Sequence, residues 1–361
     1  MLTSPSDLTE NTLADALADG WGMRVAALNY LPLGWGSHHW DARDREGTRW
    51  FITVDELENK RVRDDESLDG GFARLRASLR SAAALRNAGC EFVIAPVAAN
   101  DAESVQRFGT RFAVAVYRFT EGRTFHWDEW TDAGRFGTLR MVAAVHLAPE
   151  RVRADALRED FWVPFRDQLE AVCGGWEPAE RGPYTRAAAR LLREHGAAIR
   201  RQLDRYDEHA DFARAQPERY VLTHGEPHPG NIMLAGDGWR LLDWDTVLIA
   251  PPERDLWHLD SGDGSVPAAY AAATGVTPLP ELIEFYRMGW DVKDLAYDAA
   301  QFFRPHADSA NDRKTWDGLT SLVRRADELM ELLSPWLISR LATKCPGSGG
   351  CSPTGRRRRS R

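Results

Sequence analysis

The chain has 361 residues, 43% of them apolar and 14 of them Trp, with a formal charge of −8. That length predicts two lobes or domains with cores of their own, and the acidic balance argues against a nucleic-acid partner. No run approaches the roughly 20 apolar residues of a membrane span, and four cysteines at no zinc or redox spacing predict reduced thiols in a cytoplasmic protein without a signal peptide.

Asp7 to Ala18 has helical spacing through Leu8, Leu13 and Leu17, stopped by Gly20 and Gly22. Strand signals follow at Val25 to Leu33, with a turn at Gly34-Trp35-Gly36-Ser37, and at Trp50 to Val54. A charged loop runs from Asp55 to Asp69 and leads into a helix from Gly70 to Ala88, striped by Phe72, Leu75, Leu79, Ala82, Ala83 and Leu85. Phe92 to Val97 and Arg111 to Phe119 read as further strands. Strand signals give way to helices near Thr120-Glu121-Gly122. Helices are expected at Phe136 to Leu147, Phe161 to Val172, Tyr184 to Tyr206, Pro280 to Phe303 and Lys314 to Leu341. Beyond Leu341 the composition collapses into Gly, Ser, Pro and Arg, which predicts a disordered basic tail over 342–361. Its short arginine run is weak evidence for nucleic acid on an acidic protein.

The informative stretch is Thr223-His224-Gly225-Glu226-Pro227-His228-Pro229-Gly230-Asn231, followed by Leu241-Leu242-Asp243-Trp244-Asp245. Tyr220-Val221-Leu222 is a β-rich lead-in, and the prolines forbid a helix after it, so polar side chains leave a strand on a loop. Ile232 to Leu234 and Trp239 to Leu242 form a hairpin turning at Gly236-Asp237-Gly238, which brings Asp243 back beside Asn231. An amide oxygen and a carboxylate are hard donors suited to Mg²⁺, whose other ligands are water and phosphate. A carboxylate on Glu226 suits a group that orients or deprotonates an attacking hydroxyl.

With both halves in order, the sequence resembles the aminoglycoside phosphotransferase family, relatives of the protein kinases. The segment Pro251-Pro252-Glu253-Arg254-Asp255-Leu256 strengthens the likeness, and Tyr30 to Ser37 resembles the spectinomycin phosphotransferase branch. The resemblance implies an α+β, bilobal protein-kinase-like fold. A small β-rich N-lobe with one helix (1–119) binds nucleotide, and a larger, mainly helical C-lobe (120–341) carries the catalytic and metal loops and the acceptor site. It implies Mg²⁺ with ATP or GTP as co-substrate, Glu226 in the catalytic position, and Asn231 and Asp243 as metal ligands. It gives His224 a structural role. It also implies a phosphate flap at Gly34, Gly36 and Ser37, and a hinge at Val116, Tyr117, Arg118 and Phe119 whose backbone meets adenine.

Three positions depart from the family pattern. Glu226 stands where aspartate is usual, and Thr53 stands where a strand lysine should meet the α- and β-phosphates. The helix from Gly70 to Ala88 has Arg74, Arg76, Arg80 and Arg86 but no acid to pair with such a lysine. The first lobe's only lysine is Lys60, in the charged loop. For the acceptor, Asp291, Asp294 and Asp298 fall on one helix face, and Trp257 and His258 either face the acceptor or pack. A cationic acceptor is therefore expected, an aminoglycoside or aminocyclitol above all. The alternatives are a kinase of choline, homoserine or a sugar, and an inactive nucleotide-binding pseudokinase. No nucleic-acid or membrane partner is expected, and the chain is a monomer or homodimer.

Overall fold

Alternation along residues 49–56 builds the centre of the first sheet: Ile52 and Val54 point to one face, and Phe51, Thr53 and Asp55 to the other. The computed structural model describes residues 1–63 and 65–343, with 327–343 as backbone only. Strands β1 (Val25–Leu31), β2 (Ser37–Asp44), β3 (Arg49–Glu56), β4 (Gln106–Phe108) and β5 (Phe112–Arg118) form an antiparallel sheet in the order β1-β2-β3-β5-β4. Helix α1 (Glu10–Trp21), capped by Thr9, lays Leu13 and Leu17 against Trp40, Ile52, Val54 and Val116. Helix α2 (Leu68–Asn87) is capped by Ser67 and buries Leu75, Leu79 and Leu85 with Ala113 and Ala115.

Strand β2 buries Trp40 and Ala42 but holds polar residues, His38 and Asp44, at its two outer buried positions, so its sequence shows only a short apolar alternation. The two polar residues find partners. His38 Nε2 lies 3.0 Å from Glu56, and Asp44 accepts hydrogen bonds from Trp50 Nε1 at 2.8 Å and Thr48 N–H at 2.7 Å. The expected strand over Phe92 to Val97 does not form. Pro96 interrupts the stretch, and its start joins another element: Leu241 N–H donates to the Phe92 carbonyl and Ile94 N–H to the Leu241 carbonyl.

The rest is mainly helical: α3 (Asp132–His146), α4 (Arg166–Cys173), α5 (Thr185–Glu194), α6 (Gly196–Arg214), α7 (Glu253–Leu259), α8 (Ser265–Thr274), α9 (Pro280–Gln301) and α10 (Ala310–Thr343). Short strands β6 (Gly122–Thr124), β7 (Val221–Thr223), β8 (Ile232–Ala235), β9 (Gly238–Leu241) and β10 (Leu248–Ala250) pair as β6-β8-β9 and β7-β10. Helices α4, α5, α6, α9 and α10 share one core around Leu169, Leu192, Tyr206, Phe285, Leu295 and Leu319.

Two helix expectations needed adjustment. The helix expected from Phe161 starts only at Arg166, because Phe161 and Phe165 both take positive φ. The single helix expected over Tyr184 to Tyr206 is two, broken at His195. Gly196 lets the second start against α4, since a Cβ there would sit 2.9 Å from the Cys173 carbonyl. The expected basic tail falls outside the described residues from 344 onward. Among the described residues no helix is long and apolar enough to cross a membrane.

Candidate active site

Strand β7 pairs only with β10 and ends at Thr223, so the chain leaves it as a loop. Asp255, in the first turn of α7, organises that loop. One carboxylate oxygen accepts His224 N–H at 2.9 Å and the other accepts Gly225 N–H at 2.6 Å. The hydrogen bond to His146, 3.0 Å away, and the charge of Arg254 outweigh burial and hold Asp255 down at about 2. Gly225 cannot be replaced freely: its φ is +103°, and a Cβ would lie 2.5 Å from the Arg254 guanidinium. That guanidinium donates to Thr223 Oγ1 at 2.9 Å and to the Thr246 carbonyl at 2.8 Å.

His224 ties the loop to its partner segment. Burial keeps the imidazole neutral, so Nδ1 accepts Glu226 N–H at 3.1 Å while Nε2 donates to the Leu242 carbonyl at 2.8 Å. Hairpin β8–β9 closes the same gap. Its register pairs Ile232 with Leu241, and Leu242 N–H then donates to the Asn231 carbonyl at 2.9 Å. Asn231 Nδ2 donates to the Glu226 carbonyl at 3.0 Å. Asp243 follows with φ +60°, a left-handed conformation uncommon outside glycine. Trp244 anchors the turn beneath it, fully buried, with Nε1 on the Leu241 carbonyl.

Glu226, Asn231 and Asp243 thus share one corner, together with Asp245 and, from β3, Asp55. Lys60, at the end of a short 3-10 turn (Leu57–Lys60) after β3, lies 2.6 Å from Asp245 and 2.9 Å from Asp55. Burial would lower its pKa, but the two carboxylates hold it well above the ordinary lysine value. Lys60 likewise holds Asp245 low against burial, whereas burial and the charges of Asp245 and Glu226 push Asp243 well up. Glu226 is raised to about 8, by burial first and then by Asp245 and Asp294. An acid-rich corner with one lysine gains from a divalent cation. Among the described residues no three carboxylate, histidine or cysteine side chains converge as a cage, so a cation held by Asn231 and Asp243 would draw its other ligands from water and phosphate.

On the N-terminal sheet, Phe51, Thr53, Asp55 and Tyr117 line the face toward this corner. Thr53 pairs across the sheet with Ala115, and Tyr117 with Phe51. The Ser37 hydroxyl donates to Asp55 at 2.5 Å, and Gly34 and Gly36 both take positive φ. In the expected hinge, the Val116 carbonyl accepts Val97 N–H and Phe119 N–H donates to Arg49. Arg118 lies over Trp50, and Phe119 under the Arg49 guanidinium.

A cavity of about 120 Å³ opens beside Glu226. Asp294, Trp257, Trp290, Tyr206 and Tyr286 line it with Arg254 and Lys293. Those two cations share the buried Glu159, each at 3.3 Å. The structure separates the three aspartates of α9. Asp294 joins Glu226 on the cavity wall, Asp291 pairs with Arg325 at 2.8 Å, and Asp298 meets Gly318 of α10. Surrounding protein raises both Asp294 and Asp298 to about 7, with the neighbouring aspartates adding to the effect at Asp294. Trp257 packs on His258 with centroids 3.8 Å apart. The exposed Trp127, which no sequence signal singled out, stacks over His228 at 5.2 Å. The contacts of Asp55 and Asp245 with Lys60, and of Trp290 with Trp257 and His258, join segments distant in sequence and leave no local pattern.

Residues 41–301 match the APH phosphotransferase enzyme family. Protein StrN of Streptomyces griseus is 30% identical over 305 residues, covering 82% of this chain and 86% of its own. Among solved structures, the spectinomycin phosphotransferase APH(9)-Ia, in complex with ADP and spectinomycin, superposes with a TM-score of 0.63 at 16% identity, over 89% of this chain and 98% of that one. A microcompartment-associated aminopropanol kinase superposes with a TM-score of 0.56 at 16% identity, over 89% and 98%.

Proposed function

The chain belongs to the APH phosphotransferase enzyme family and is a phosphotransferase, and on that premise we propose that it moves the γ-phosphate of ATP or GTP onto a hydroxyl of a small cationic acceptor, an aminocyclitol or aminoglycoside. The observation that carries this reading is the placement of Glu226. It stands on the wall of the cavity with Asp294 and is joined through Asn231 to the Asp243 turn. One carboxylate therefore faces the acceptor space while the hairpin serves the phosphates.

In this reading Glu226 receives or orients the acceptor's hydroxyl proton. Mg²⁺, held by Asn231 and Asp243, would neutralise charge on the phosphate oxygens when bound. Asp294 and the aromatic faces of Trp257 and Trp290 attract an ammonium group and set the hydroxyl toward Glu226. Division of labour between a nucleotide-binding lobe over 1–119 and an acceptor-binding lobe over 120–341 is part of the same proposal, with the flap at Gly34 to Ser37 and the hinge at Val116 to Phe119 on the nucleotide side.

Nucleotide depletion with Mg²⁺ across a panel of aminocyclitols, aminoglycosides, choline, homoserine and neutral sugars tests the reading. It expects acceptor-dependent ADP or GDP release with an amine-bearing acceptor. Equal turnover of neutral sugars would contradict the cationic acceptor.

A further inference from the structure

We propose that Lys60 is the cation that meets the nucleotide phosphates, so that the ion pair formed in related kinases by a strand lysine and a helix glutamate is built here from a strand acid, Asp55, and a lysine in the turn beyond it. The proposal rests on the kinase reading above.

The two elements expected to supply that pair do not. Thr53 on β3 carries no charge, and the arginines of α2 are turned to other groups: Arg74 to Glu66, Arg76 to the Phe72 ring, Arg80 to Glu103 and Arg86 to the Glu91 carbonyl. The cavity's cations, Arg254 and Lys293, are held by Glu159. Lys60 instead reaches the metal corner itself, on Asp245, two residues past Asp243. An ammonium has three donors, and the two aspartates use two.

The turn that carries Lys60 is fastened to the helical lobe, not only to the sheet. Tyr297 Oη donates to the Asn59 carbonyl at 2.7 Å, while Phe165 N–H at 3.0 Å and Trp162 Nε1 at 3.2 Å donate to the Val62 carbonyl. On its other side, Gly71 of α2 lets the turn approach, since a Cβ there would lie 3.2 Å from the Leu57 carbonyl. A lysine on β3 would move with the sheet. Lys60 keeps its place relative to Asp243 because both are tied to the same lobe. The Ser37–Asp55–Lys60–Asp245 chain of contacts, at 2.5, 2.9 and 2.6 Å, then joins the phosphate flap to the metal turn.

Binding of Mg·AMP-PNP and of adenosine, measured by calorimetry on the full chain, separates this role from a structural one. Lys60→Met is expected to weaken Mg·AMP-PNP roughly ten- to a hundredfold, the scale of one charged hydrogen bond, and to leave adenosine within twofold. Thr53→Lys added to Lys60→Met is expected to recover most of the loss by returning a cation to the cleft face of β3. Should Lys60→Met fail to fold, because Asp55 and Asp245 lose their partner, Asp55→Asn with Lys60→Met carries the same comparison. Undiminished Mg·AMP-PNP binding, or an equal loss for adenosine, overturns the role of Lys60 while leaving the kinase reading in place. A wild-type protein that binds no Mg·AMP-PNP overturns the kinase reading and this proposal with it.

Discussion

Glu226 has one methylene more than the aspartate that the family resemblance implies there, roughly 1.5 Å of extra reach, and it stands on the wall of a cavity. Glu226→Gln keeps the shape and removes the base. It should lower kcat by about 10²–10⁴-fold, the usual scale of proton-transfer assistance, with nucleotide affinity within a few-fold by calorimetry. Because burial, Asp245 and Asp294 raise the carboxyl to about 8 in the unliganded protein, it is protonated below that pH. Activity should therefore rise with pH toward 8, and kcat/KM profiles at two Mg²⁺ concentrations should show the limb shifting to lower pH as the cation is added. A flat profile from pH 6 to 9 would remove Glu226 as the base. Asp243→Asn should cost several decades of turnover in a folded protein, checked by circular dichroism alongside the assay.

Among the elements, the loop that follows β7 is shaped by a helix that comes after it in sequence. Asp255 of α7 accepts both His224 N–H and Gly225 N–H and faces His146. An amide offers one acceptor oxygen in place of two, so Asp255→Asn strands one buried N–H. The expected cost is about 2–3 kcal/mol in urea unfolding, together with reduced kcat from a loosened Glu226; unchanged stability would show that the loop does not depend on this anchor. Elements with a strong apolar period were legible: α1, α2, α9 and the β8–β9 hairpin lie close to where spacing and glycines put them. Strand β2 was not, because only Trp40 and Ala42 of its buried positions are apolar, while His38 and Asp44 at the other two are matched by partners on the next strand and its turn. The same limit governed the site. Spacing and the hairpin put Asn231 and Asp243 together on one chain segment, whereas the Asp55–Lys60–Asp245 contact spans two segments and leaves no local pattern. The α9 stripe of Asp291, Asp294 and Asp298 was readable as a face, but the packing of α10 divides it.

Across the whole molecule, acids outnumber bases around the cleft, and stability should register that excess. Asp294 and Asp298 are raised to about 7, above their unfolded values near 3.9. The folded state then holds more protons than the unfolded one between those values, so stability contributed by these groups is lost as pH rises from about 4 to 7. Replacing both with Asn should flatten that decline, which melting temperatures across pH 5 to 8 would show; an unchanged slope would mean that other groups govern it. In the proposed reaction Glu226 and the Asn231–Asp243 turn act together. The most direct measurement follows ADP formation and ³¹P NMR of the acceptor for wild type and Glu226→Gln, with Mg·ATP and the aminocyclitol panel. Wild type is expected to yield a phosphorylated amine-bearing acceptor, and Glu226→Gln to lose at least a hundredfold in kcat. Wild-type protein that binds Mg·ATP yet phosphorylates nothing in the panel, or a Glu226→Gln variant within a few-fold of wild type, would contradict the proposed reaction.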